Sequence, residues 1–198
     1  ARFATHLAGP PGDNFIFYWN VWWFRAALWQ APQWPFHTPL LFHPDGASLA
    51  FHTTTLLGTV PASLLGSWLP LPVAFNLIVL GCFFGPAAAM YLLARLVLAR
   101  AGCTGGTAAA LACFAGLAYS FAPFHMAHLG HLNILNVGVV PLVAWAVLRL
   151  AAHRRGRDAL LLGACLAASA RADGYHALSA VLLVVVLAVV RGPAGATV

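Results

Sequence analysis

Charge is what this chain has least of. Acidic and basic residues make up only 7% of its 198 residues, where a soluble domain carries about a quarter. A surface facing water cannot be built from so few charges, so lipid must cover much of this one. Lysine is absent, and the ten basic residues are arginines scattered between apolar runs. No basic stripe with interleaved aromatics tracks a phosphate backbone, which excludes nucleic acid as a partner. Cysteine is sparse too: Cys82, Cys103, Cys113 and Cys165 lie in or beside apolar runs without CxxC spacing, so no disulfide framework is implied. The first residues lack the charged, apolar and small-residue order of a signal peptide. The chain is therefore expected to be an internal portion, or the ordered part, of a longer protein.

What is abundant is apolar length. Residues 1–70 stand apart, with six of the seven tryptophans and eight of the thirteen prolines. The run from Phe15 to Phe24 reads as a helix lying along a membrane surface, where aromatic rings favour the headgroup level and Arg25 can reach water. A second helix is expected from Ala47 to Trp68, kinked at Pro61. Between the two, Gln33 to Pro39 and His43-Pro44-Asp45-Gly46 are loop and turn chemistry. Beyond residue 70, apolar runs alternate with arginines, giving spans at about 71–98, 106–122 and 133–150. The stretch 158–191 is either one long helix or a hairpin of two short ones. Gly174, following Arg171 and Asp173, favours a hairpin of 158–170 and 174–190. Residues 192–198 would be a cytoplasmic tail or the start of a further part.

Arginine placement sets an orientation. Arg95 and Arg100 follow the first span, Arg149, Arg154, Arg155 and Arg157 the third, and Arg191 ends the hairpin. Positive charge collects in cytoplasmic loops, so parity puts residues 1–70, the 119–132 loop and the 171–176 turn on the outer face. That face then gathers Asp13, Asp45, Arg25, Arg171, Asp173 and every histidine except His153. Ionisable groups near a membrane are costly and often mark a functional pocket.

Two sets of short motifs carry a resemblance. The first is Gly12-Asp13-Asn14, Tyr18-Trp19-Asn20, Trp22-Trp23, Pro35-Phe36-His37-Thr38 and Pro44-Asp45-Gly46. The second is Ala118-Tyr119-Ser120-Phe121-Ala122-Pro123, then His128, Gly130-His131-Leu132-Asn133 and the span ending at Arg149. Together they resemble the polytopic GT-C glycosyltransferases over most of the chain, as an overall pattern of short motifs. The resemblance implies an all-α, multispan protein of a bacterial inner membrane, with surface-lying helices in a large first outer loop. It implies an enzyme that takes a sugar from a polyprenyl-phosphate carrier. Asp13 matches the catalytic carboxylate of that loop; many relatives have a second carboxylate nearby, and here the neighbour is Asn14.

The chemistry agrees with that implication. A carboxylate can take the proton of an acceptor hydroxyl as it attacks the sugar carbon. The charge of the leaving phosphate can be met by an arginine or histidine. Arg171 is the first candidate and Arg25 the second; His128, His131 and Asp173 are further candidates for substrate contact. His125, His128 and His131, spaced by three, could share a divalent metal if one helix carries them. No other cofactor is implied.

Each residue also has a plainer reading. Asp13 is placed to cap the helix that follows it, and Asp158 likewise. Asp45 suits a turn, and Arg171 and Asp173 could pair at the hairpin bend. The three histidines could be singly hydrogen-bonded, and the tryptophans interface anchors. Two other function classes stay open. One is a non-catalytic membrane subunit of a larger assembly, whose histidines could hold haem or a chlorin pigment. The other is a transporter with helices broken at Pro86 and Pro141.

Overall fold

The computed structural model describes residues 2–191; the stretch 192–198, expected as a tail, lies outside the described residues. The described residues are mostly helical. After a 3-10 turn at Arg2–Ala4 come α1 (Asp13–Arg25), which widens into a π-helical turn over Ala26–Gln30, and the paired dipeptides β1 (His37–Thr38) and β2 (Ala47–Ser48). Then follow α2 (Leu56–Leu65), α3 (Leu71–Arg100), α4 (Gly105–Ser120), the short α5 (Pro123–Ala127) and α6 (Leu132–Leu135), α7 (Val139–His153), α8 (Gly156–Ala172) and α9 (Gly174–Arg191). Three helical stretches, Leu71–Arg100, Gly105–Ala127 and Leu132–His153, are long and apolar enough to cross a membrane. They coincide with the three apolar runs expected to span. The helix break at Asp173 divides 158–191 into two helices, as the Gly174 signal suggested.

The chain forms two compact units. The first comprises residues up to Cys82 together with Pro123–Leu135, and the second Phe83–Ala122 with Asn136 onward. In the first, α1 buries Phe17, Val21 and Phe24, spaced three to four apart on one face. Trp23 and Phe24 pack with Ala27 and Leu49. Trp23 is thus a core residue and not an interface anchor, and its indole N–H donates to the Pro35 carbonyl at 2.9 Å. The second expected helix is much shorter than 47–68. Ala47 and Ser48 pair with Thr38 and His37, and Thr55 takes a left-handed conformation, so helix starts only at Leu56. The loop closed by the two dipeptides exposes Leu40, Leu41 and Phe42, and Phe51 beyond it is fully exposed.

The second unit is made of antiparallel helices. On α3 and α4, Ser120 donates its hydroxyl to the Phe83 carbonyl, Gly116 faces Ala87, and Arg95 donates to the Gly105 carbonyl. The first two pairs share one register across the turn joining the two helices. A Cβ on Gly116 would fall 2.5 Å from the Ala87 carbonyl oxygen, whereas one on Gly163 of α8 would meet nothing within 4 Å. Small residues let membrane helices approach backbone to backbone. Gly116→Ala is therefore expected to destabilise this unit by about 1–3 kcal/mol, and Gly163→Ala to be neutral or stabilising; unfolding in graded SDS measures both. In α7, α8 and α9, Val143, Ala146, Cys165 and Ala180 form one core, with α8 folded back on α7 and α9 back on α8. Arg100, at the end of α3, donates to the Leu148 carbonyl at 2.7 Å. The arginine-rich ends of α3 and α7 thus meet at one end of the unit.

Candidate functional site

The site is built at the beginning of α1. Gly12 precedes that helix with φ 103° and makes no side-chain cap, and Asp13 is the first helical residue. The carboxylate is thus not the cap expected of it; it stands half exposed in the first turn, where a negative charge complements the helix dipole. Its partner comes from the other segment of the unit. His131 Nε2 lies 3.4 Å from Asp13 Oδ2, the two side chains being 41% and 54% exposed. The pair is ionic when the imidazole carries its second proton. His131 Nδ1 is buried and has no hydrogen-bond partner among the described residues.

Backbone packing brings these two together. Gly9 has φ +101°, and a Cβ there would meet both the Asn14 amide nitrogen and the Leu129 carbonyl oxygen at 2.6 Å. Only glycine allows the chain to pass so close in that conformation. Gly130 is likewise packed against Pro10. Beneath this contact, buried asparagines hold the opening segment. Asn14 donates to the carbonyls of Ala8 and Pro10 at 2.9 and 2.8 Å. Asn76 of α3 donates to those of Phe3 and His6 and accepts from the Ala8 N–H, each at 2.8 Å. Neither amide was singled out from sequence as structural. The available signal was an asparagine inside an apolar run, which must be hydrogen-bonded if buried.

The three spaced histidines do not share a helix. The break at Gly130 separates α5 from α6, and each imidazole is engaged separately. His125, 1% exposed, donates from Nε2 to the Leu135 carbonyl at 3.0 Å. His128 donates from Nδ1 to the Phe124 carbonyl at 2.7 Å, leaving Nε2 as the free nitrogen. Its ring centroid lies 5.6 Å from that of His131. Among the described residues no three histidine, cysteine, aspartate or glutamate side chains are placed to hold a metal. The expected metal candidates His125, His128 and His131 therefore do not fit one.

Arg25 is not beside Asp13. Twelve helical steps separate them, about 18 Å along α1, and its guanidinium donates to the Gly66 carbonyl at 3.0 Å, tying the end of α1 to that of α2. Arg171 and Asp173 belong to the second unit. Arg171 is exposed in the last turn of α8, and Asp173 accepts a hydrogen bond from the Tyr175 N–H at 2.9 Å, opening α9. Asp45 is exposed in the loop between β1 and β2. Asp158 corrects its expectation as well. It is 1% exposed; Arg149 donates from Nε to its Oδ1 at 3.1 Å and sets Nη2 3.1 Å from the same oxygen as an ion pair, with the guanidinium 4.9 Å from the Trp145 ring centre. It is a buried ion-pair member and not a simple cap.

His52 forms a separate polar contact on α1. Asn20, 1% exposed, donates to the Thr53 carbonyl, which leaves its oxygen to accept from His52 Nε2 at 2.9 Å. Desolvation lowers the His52 pKa. The unfolded chain therefore binds the proton more readily than the folded one. The stability this group contributes is complete above about pH 6.5 and is lost as pH falls through that value towards the lower folded pKa. Between about pH 7.5 and 5.5 the protein is expected to lose more thermal stability than its His52→Gln variant.

Comparison with protein-family models, with curated proteins and with solved structures returns no match.

Proposed function

We propose that the chain is part of a membrane glycosyltransferase resembling the GT-C class, which transfers a sugar from a polyprenyl-phosphate donor at the outer face of a bacterial inner membrane. The observation that carries this reading is the meeting of Asp13 and His131 at 3.4 Å, two polar groups from separate segments of a chain otherwise poor in charge. Asp13 accepts the proton of an acceptor hydroxyl as its oxygen bonds to the anomeric carbon, and the lipid phosphate leaves with the bonding pair. His131 orients the carboxylate, and His128 supplies a second imidazole beside it. No metal enters the reading, since the described residues do not form a metal-binding set. Three apolar helices of spanning length support the membrane setting, as do the exposed apolar side chains of the 40–51 segment. Proteoliposomes holding the protein, given a radiolabelled polyprenyl-phosphate sugar and a saccharide acceptor, test the proposal. Transfer that depends on Asp13 supports it, and transfer indifferent to Asp13 overturns it.

A second reading, a non-catalytic subunit of a membrane assembly, draws on α9. Leu178, Val181, Leu182, Val185, Val186 and Val189 are all exposed there, a flank that a neighbouring subunit could cover as well as lipid. Copurification of another membrane protein at fixed stoichiometry, without transferase activity, favours this reading.

A further inference from the structure

The densest charge in the chain lies where α3 ends and where α7 turns into α8. Arg100 closes α3, and Arg154, Arg155 and Arg157 fill the turn between α7 and α8. Arg100 donates to the Leu148 carbonyl, and Leu148 precedes Arg154 by six residues, about 9 Å along α7. The four arginines thus belong to one end of the second compact unit, and all four are exposed.

No carboxylate offsets them. The chain has four acidic residues, of which Asp13 and Asp45 belong to the first compact unit. Asp173 lies at the far end of α8, sixteen residues and about 24 Å from Arg157. Asp158 is next to the cluster but is buried against Arg149, so its charge is already matched. Among the described residues, Arg154, Arg155 and Arg157 meet no carboxylate. Arg155 and Arg157 also stand at the start of α8, the positive end of its dipole, where a cation is disfavoured. Like charges gathered in this way repel one another, and an anion among them relieves the repulsion.

The apolar neighbours show which anion fits. Val97 lies three residues before Arg100 on α3, and Leu160 three after Arg157 on α8, so each shares a helix face with its arginine. Both are exposed, at 49% and 78%. On each helix the cation is outermost and the apolar side chain one turn further in. A soluble phosphate or a nucleic acid has no use for that second step. A phospholipid has both parts in the same order, phosphate outside and acyl chain within. α3 and the stretch that ends with α7 are long and apolar enough to cross a membrane, which brings their ends to headgroup level.

We propose that this end of the second unit binds an anionic phospholipid, with the phosphate among Arg100, Arg154, Arg155 and Arg157 and the acyl chains along Val97 and Leu160. The proposal is independent of the transferase reading, since it uses none of the residues around Asp13.

Native mass spectrometry of the purified chain in detergent, titrated with phosphatidylglycerol and phosphatidylcholine of identical acyl chains, tests it. Phosphatidylglycerol is expected to bind at least about tenfold more tightly, because the choline group brings a like charge to the arginines. Arg154→Gln, Arg155→Gln and Arg157→Gln should each weaken its binding about fivefold, and the triple variant about 100-fold. The corresponding triple lysine variant keeps the charge and should bind within about threefold of the parent. Arg171→Gln, which removes an exposed arginine at the other end of α8, should leave binding unchanged. All of these side chains are exposed, and circular dichroism confirms that each variant is folded. Equal binding of the two lipids, a triple glutamine variant that binds like the parent, a lysine variant as weak as the glutamine one, or a loss at Arg171→Gln equal to that at the cluster would each overturn the proposal. So would displacement of phosphatidylglycerol by an equal concentration of glycerol 1-phosphate, which would make this a site for soluble phosphate.

Discussion

Asp13→Asn is expected to lower glycosyl transfer by about 10²- to 10⁴-fold, the usual worth of a positioned general base, with the protein still folded. The substitution keeps the shape of the side chain and removes its ability to take a proton. The fold should tolerate it, because the carboxylate is half exposed and its contact is with a half-exposed histidine. Exposed ion pairs contribute at most about 1 kcal/mol. The same magnitude bounds the partner: His131→Ala should cost no more than about fivefold if the imidazole only orients the carboxylate. A loss at His131 as large as that at Asp13 would instead mean that the histidine itself handles the proton. Initial rates in proteoliposomes, with circular dichroism to confirm folding, measure both. Activity of Asp13→Asn within about threefold of the parent would sink the catalytic assignment.

Arg149→Met is expected to destabilise the protein by about 3–5 kcal/mol, the largest stability effect foreseen for a single side chain. Asp158 is almost wholly buried and takes a charge-assisted hydrogen bond and an ion-pair contact from this arginine, both at one carboxylate oxygen. Removing the guanidinium strands a carboxylate inside the α7–α8 hairpin, which is far costlier than losing an attraction. The diagnostic is the pair of changes together. Arg149→Met with Asp158→Leu should recover most of the loss, because the charge that needed a partner is gone. SDS unfolding of the two single variants and the double variant gives the coupling. A single Arg149 variant as stable as the parent would mean that water reaches Asp158.

The long apolar runs made the spanning helices legible, since a run of that length has few other uses. The split of 158–191 was legible for a different reason: a polar Arg-Ala-Asp-Gly stretch cannot continue an apolar face. The 47–68 segment failed because its hydrophobicity hid two short pairings and a left-handed Thr55, none of which leaves a periodic trace. In the candidate site, Asp13 and His131 were legible as chemistry. Their meeting was suggested only by parity through the membrane, because the contact is made by Gly9 and Gly130 packing, which no spacing encodes. Arg25 was grouped with Asp13 only because both fall on the expected outer face, whereas α1 holds the two at its opposite ends. Asp158 was misread because its partner Arg149 lies across a turn, nine residues away.

The first compact unit is interrupted in the chain, its last piece, Pro123–Leu135, arriving only after α4. That order matters while the polypeptide is being made. Residues 3, 6 and 8 wait for Asn76 to emerge before their backbone groups are matched, and Asp13 waits for His131. A nascent chain halted before residue 123 would carry an acid without its imidazole. Synthesis thus completes the Asp13–His131 contact late, after two of the three helices of membrane-spanning length have been made.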